Sequence, residues 1–100
     1  MLIKIHTAYR SIVAVCDTEL IGRKLEDKDR GLQMDLTGQF FQGDKKTPEE
    51  AREIIIDMRK EDASFNFVGF ESCNLAQELG LISKEGLLYI SGVPIALVLL

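Results

Sequence analysis

Phe65-Asn66-Phe67-Val68-Gly69-Phe70-Glu71-Ser72-Cys73-Asn74-Leu75-Ala76-Gln77-Glu78-Leu79-Gly80, then Leu87-Leu88-Tyr89-Ile90, reads strand, helix, strand. Phe65, Phe67 and Val68 form a buried strand that ends at Gly69. A helix follows over residues 71–79, with Leu75, Ala76 and Leu79 turned inward, and Gly80-Leu81 closes it as a left-handed glycine cap with its hydrophobic contact. Residues 87–90 form the next strand. Two strands joined through a helix favour a parallel pair with a right-handed crossover, which places the chain among α/β proteins.

Working outward, Ser91-Gly92-Val93-Pro94 reads as a turn into a last apolar strand, residues 95–100. That run is apolar on both faces. It is either a central buried strand or an edge strand covered by a second subunit, hence a candidate homodimer contact. Upstream, Thr47-Pro48-Glu49-Glu50 is a helix start: a capping hydroxyl, a proline at the first helical position, and a glutamate placed to bond back to the cap. Ala51, Ile54, Ile55 and Met58 recur at helical spacing up to Lys60. Residues 2–8 and 11–16 form a hairpin. Residues 17–31 are charged, with Leu20, Ile21 and Leu25 as anchors, and read as a loop with one helical turn. Leu32, Met34 and Leu36 alternate as a strand, and Gly43-Asp44 turns the chain. The fold expected is a mixed α/β (α+β) domain over residues 1–100. It has a single-layer mixed sheet, an N-terminal antiparallel hairpin, a C-terminal strand-helix-strand unit and about two packed helices.

Composition limits the function classes. With 100 residues, 46% hydrophobic and 28% charged, the chain is one domain with a core of its own. A net charge of −4 argues against direct nucleic-acid binding and allows a basic protein partner. The basic stretches Arg23-Lys24 with Lys28 and Arg30, and Lys45-Lys46, are interleaved with acids and read as solvated surface or a minor phosphate contact. No apolar run approaches a membrane span and no signal-peptide pattern opens the chain, so a cytoplasmic protein with reduced thiols is expected.

Chemistry-bearing residues gather at strand ends. Cys16 and Asp17 end the apolar run Val13-Ala14-Val15. Cys16 is a buried structural thiol, or a nucleophile if the hairpin brings His6 beside it. Asp17 caps the next turn or acts as a base. A metal site from His6, Cys16, Asp17 and Cys73 lacks close-spaced ligand pairs and is not expected. Gly69, Glu71 and Ser72 sit where a strand feeds a helix, a place that tightens a turn and caps a helix or holds an anion. No glycine-rich phosphate loop is present, and no cofactor is expected. Asn66, between two phenylalanines, points to the solvent face of the sheet or satisfies interior backbone groups. Gly92 and Pro94 form a turn or part of a recognition surface.

Taken together, Val13-Ala14-Val15-Cys16-Asp17, Glu19-Leu20-Ile21-Gly22, Phe40-Phe41 with Gly43, Asn66-Phe67-Val68-Gly69, Leu75-Ala76 with Gly80-Leu81-Ile82, and Ile90 with Gly92-Val93-Pro94 resemble the DUF424 family in order and spacing over nearly the whole chain. The resemblance implies a small cytosolic archaeal protein with no established activity, whose relatives accompany translation genes. In the family the Gly-Val-Pro turn is commonly followed by histidine; here Ile95 stands there, which counts against an enzyme built on that position. Two functions follow as expectations. The first is an interaction module that binds a basic protein or ribonucleoprotein of the translation machinery through Cys16, Asp17, Asn66, Gly69, Glu71, Ser72, Gly92 and Pro94. There, the amides after Gly69 would supply donors. The second is a small enzyme or ligand-binding domain with a cleft near Cys16, Asp17 and Asn66.

Overall fold

The capping residues at 47–50 act as their types dictate. In the computed structural model, which describes residues 1–99, the Thr47 hydroxyl accepts from the Glu50 N–H at 3.2 Å, and the Glu50 carboxylate accepts from the Thr47 N–H at 3.0 Å. This capping box opens helix α1 (Pro48–Lys60), which buries Ala51 and Ile55. The second helix, α2 (Phe70–Glu78), starts at Gly69.

Among the described residues there are eight strands: β1 (Leu2–His6), β2 (Ile12–Cys16), β3 (Lys24–Asp27), β4 (Leu32–Asp35), β5 (Asp44–Lys45), β6 (Ser64–Val68), β7 (Leu88–Ile90) and β8 (Val93–Val98). Six of them form one mixed sheet in the order β5-β1-β2-β6-β8-β7. β1 and β2 are the expected hairpin, in the register Leu2↔Cys16 to His6↔Ile12. The strand-helix-strand unit is β6-α2-β7, but its two strands are not neighbours. β8 lies between them, antiparallel to both. The parallel neighbours are β2 and β6, aligned from Ile12↔Ser64 to Cys16↔Val68, with α1 in the connection. The reason is burial. β8 is buried at every position but Leu97, so it takes an interior place, while the three-residue β7 takes the edge.

The C-terminal run therefore resolves as an interior strand, paired with β6 over residues 95–98 and with β7 over residues 93–95. It is not an edge along which a second subunit would dock over its whole length. Leu100 lies outside the described residues. The turn before it is shorter than its sequence suggests. Ser91 and Gly92 alone make it, with φ of 52° and 80°, the two positive values that a two-residue hairpin turn of matching twist requires. Val93 and Pro94 already belong to β8.

Each face of the sheet is covered by a different layer. Val13, Val15, Phe65, Phe67, Ala96 and Val98 face the helices and pack with Ala51, Ile55, Cys73, Leu75 and Ala76. Ala14, Cys16, Val68, Ile90, Val93 and Ile95 face the other way and pack with Leu20, Leu25, Leu36 and Phe41. This second layer is a ribbon of β3 and β4, in the register Lys24↔Asp35 to Asp27↔Leu32. Residues 17–31 are thus more than a loop. The helical turn is the 3-10 segment Thr18–Leu20, and Lys24–Asp27 is a strand. Leu25 is the buried residue of that strand, so charge hides its alternation and only pairing with β4 fixes it. At the ribbon's tip Arg30 binds Asp27 at 2.6 Å and donates to the Tyr89 carbonyl, a group on the outer side of edge strand β7.

Thr47→Ala should lower stability by about 1 kcal/mol, read from denaturant midpoints at unchanged m. The Thr47 N–H, with the Thr47 hydroxyl next, holds the Glu50 carboxyl below its ordinary value of 4.5. The contribution is therefore present above that value and lost as pH falls through the lower folded pKa. The gap between wild type and Glu50→Gln should shrink over that acidic window.

Candidate functional site at the carboxyl ends of the parallel strands

β2 and β6 end side by side, because Cys16 lies opposite Val68 and the Asp17 N–H donates to the Val68 carbonyl at 3.0 Å. β8 joins them through the Gly69 N–H, which donates to the Pro94 carbonyl at 2.9 Å. The three strand ends singled out in the sequence do meet. They meet, however, as a closed knot.

Asp17 is its centre. Its residue is 2% exposed. Oδ1 accepts from the Ser72 N–H at 2.8 Å and the Ser72 hydroxyl at 2.7 Å, and Oδ2 accepts from the Glu71 N–H at 3.1 Å. A helix begins with amides that have no intrahelical partner. At α2 the N-cap residue is Gly69, which has no side chain to satisfy them, so a carboxylate from β2 does so across the sheet end. Gly69 makes room for it: a Cβ there would overlap the Asp17 carboxylate, and its φ of 113° suits glycine. Pro94 completes the arrangement. It has no N–H to offer the Gly69 carbonyl, which instead accepts the Cys73 N–H at 2.9 Å and opens the helix.

The expectation that the amides after Gly69 would serve a ligand is therefore corrected, because Asp17 takes those of Glu71 and Ser72 and the Gly69 carbonyl takes that of Cys73. Asp17 as a general base fails with it. Cys16 is fully buried, and its thiol donates to the Asp17 carbonyl at 3.3 Å. Burial first, then the Asp17 and Glu19 charges, pushes its pKa from 9.0 to about 12. Cys73 is buried too; its thiol donates to the Phe67 carbonyl at 3.7 Å, and burial followed by the Asp17 charge pushes it up to about 12. Both thiols are free. His6 is no partner for Cys16. It stands four residues along the hairpin, roughly 13 Å away at strand spacing, stacked on Phe40 at 4.3 Å with Nε2 at 2.9 Å from the Phe40 carbonyl.

Of the other candidates, Ser72, Gly69 and Pro94 are buried, whereas Glu71 and Gly92 are exposed. Asn66 does not join the knot. It sits one strand repeat back, half-buried on the ribbon face between Ala14 and Leu97, where the ribbon leaves the sheet partly open. Ile95, in the place of the family's histidine, is buried under the ribbon opposite Val68. The sequence reading missed Glu19, whose carboxylate lies with those of Asp17 and Glu71 within 4.8 Å of one another. The signal was its place two residues after Asp17, in the first turn that Asp17 opens. As a cation site the trio is weak: Asp17 has spent most of its lone pairs on α2, and the two glutamates are exposed. Thr18, Glu19 and Glu71 also line a surface groove of about 540 Å³ with Lys45, Lys46 and Thr47.

These features define a small α/β domain whose strand-end polar groups serve its own architecture. The chain belongs to the DUF424 family, described as proteins of unknown function, whose model matches residues 5–100. No curated protein matches it. Its fold is shared by the crystal structure of an uncharacterized conserved protein from Methanopyrus kandleri, 24% identical, covering 96% of this chain and 87% of that one at a TM-score of 0.81.

Asp17→Ala should cost about 3 kcal/mol, because it strands two amides and a buried hydroxyl at once. Gly69→Ala should be destabilising as well; thermal melts of both variants decide this, and a wild-type melt for either would refute the cap. A thiol reagent at pH 8 should leave Cys16 and Cys73 unmodified in the native protein and label both in denaturant.

Proposed function

We propose that this protein is a binding module and not an enzyme: an acidic α/β domain that docks a basic protein or a protein-RNA surface, with the translation machinery as the place to look for it and the cytoplasm as its compartment. The observation that carries this reading is the internal engagement of Asp17. The carboxylate and thiol that an active site would use are buried, hydrogen-bonded within the chain, or held protonated by burial. An enzyme at these strand ends would have to work with exposed Glu19 and Glu71 and with the lysines and threonines of the open groove they line, with no histidine or cysteine in its lining.

Three further features support binding. The net charge is −4, and the solvent side of α1 carries Glu49, Glu53 and Asp57, all exposed, at one-turn intervals that line up along the helix. Such a ridge steers a basic partner toward the protein. Exposed apolar side chains such as Phe70, 63% exposed, and Tyr9 offer contact area. No described helix is long and apolar enough to cross a membrane.

Affinity capture from an archaeal lysate at low and moderate salt, with and without ribonuclease, tests the reading. Wild type should retain basic proteins that fall away at moderate salt, and a Glu49→Lys/Glu53→Lys/Asp57→Lys variant should retain far less while melting normally. A clean protein at low salt would sink the proposal.

A further inference from the structure

The outer edge of β1 is a second place where polar groups face outward, and these are not consumed. Met1 and Lys46 exchange backbone hydrogen bonds, at 2.8 and 3.3 Å, and β5 continues the ladder only to Leu2 and Ile3. In an antiparallel ladder the outward residues alternate, so after Met1 and Ile3 the next is Ile5. Among the described residues its N–H and C=O find no backbone partner on that side. The chain has turned away: the Gln42 N–H donates to the Gln39 carbonyl at 3.2 Å, and Gly43 presses so close to the Ile3 carbonyl that any side chain there would overlap it. What remains is a groove of about 480 Å³ lined by Ile3, Lys4, Ile5, Gly43 and Ile54, among others. Ile5 is 44% exposed in it.

The groove's far wall is α1. At 100° per residue, Glu50, Glu53 and Asp57 all fall on the side of Ile54 away from buried Ala51 and Ile55, and all three are exposed. The wall is thus an isoleucine with an acidic rim. Of the lysines at the groove, Lys4 donates to the Gln39 carbonyl at 2.9 Å, and the Lys46 charge favours the ionised form of Glu50.

We propose that this groove takes an extended segment of a partner protein as an added strand on β1 beyond Ile3, with an apolar side chain against Ile5 and Ile54 and lysine or arginine two residues further on, away from β5, reaching the acidic rim of α1. An outward N–H and C=O pair beside an apolar wall is what strand addition uses. The rim disfavours phosphate and so disfavours RNA. It also disfavours a second copy of this chain, which would bring two acidic rims together. The inference rests on the binding-module reading for the basic character of the partner, and adds where and how that partner sits.

The test is an NMR titration of the isotope-labelled full chain with the heptapeptide Thr-Lys-Thr-Ile-Thr-Lys-Thr, the same peptide N-methylated at isoleucine, and its glutamate counterpart. The Ile5 amide should shift and become protected from exchange. N-methylation should weaken binding roughly tenfold, the worth of one hydrogen bond, and the glutamate peptide should not bind. Ile5→Pro removes the edge N–H while leaving the β2 ladder intact and should weaken the lysine peptide similarly; Asp57→Lys, at an exposed site, should weaken it without affecting folding. Shifts elsewhere, no shift at millimolar peptide, or equal binding by the N-methylated form would overturn the proposal. So would an Ile5 amide already protected in a dimer without peptide. Equal lysate capture by Ile5→Pro and wild type, or capture of RNA that ribonuclease removes, would overturn the groove and leave the binding module standing. Failed capture with a positive titration would do the reverse.

Discussion

The carboxylate of Asp17 is the constraint around which the rest of this fold is arranged. A helix that starts directly from a strand needs its first amides satisfied, and at α2 the local sequence offers glycine where a capping side chain usually stands. The partner comes from 55 residues away in the chain, across from Ser72. That single group ties β2 to α2, and because β2 and β6 are parallel neighbours it ties the crossover at both its ends. Gly69 and Pro94 are intelligible only beside it, the one by leaving space and the other by leaving a carbonyl free. In a domain of 100 residues, where net stability is a small difference of large terms, such a hub has more leverage than any one surface contact.

The same hub explains why the strand ends look functional in the sequence. Polar residues at the carboxyl ends of parallel strands are where α/β proteins place ligands, and Cys16, Asp17, Gly69 and Ser72 do sit there. Residue type and place are legible in the chain; engagement is not. Whether a carboxylate faces water or a helix terminus depends on which amides lie opposite, and Asp17 and Ser72 are joined only by the fold. The thiols carry the same lesson, since the protonation of Cys16 is set by a burial that no local pattern encodes.

Local signals decided the rest unevenly. Thr47, Pro48 and Glu50 announce α1 because a capping box is built from adjacent residues. The β1–β2 hairpin and β6 follow from their apolar runs. Strand order did not follow: the neighbour of β6 is chosen by which later strand is apolar on both faces, and β8 outcompetes β7. The ribbon strand around Leu25 was hidden because its other three residues are charged, and a half-exposed ribbon needs only one apolar anchor. The family resemblance spans these same motifs, most of which prove to be architectural. Their order reports a shared fold more than a shared chemistry.

Arg30 gives the sheet a direction. Its guanidinium, steadied by Asp27, covers a carbonyl on the outer side of β7, the margin where strands could otherwise be added one after another. The opposite margin, at β1, has no such guard beyond Ile3. One margin has thus lost an acceptor to a side chain of its own fold, while the other keeps its backbone groups turned outward, so the two edges of the sheet are chemically unlike.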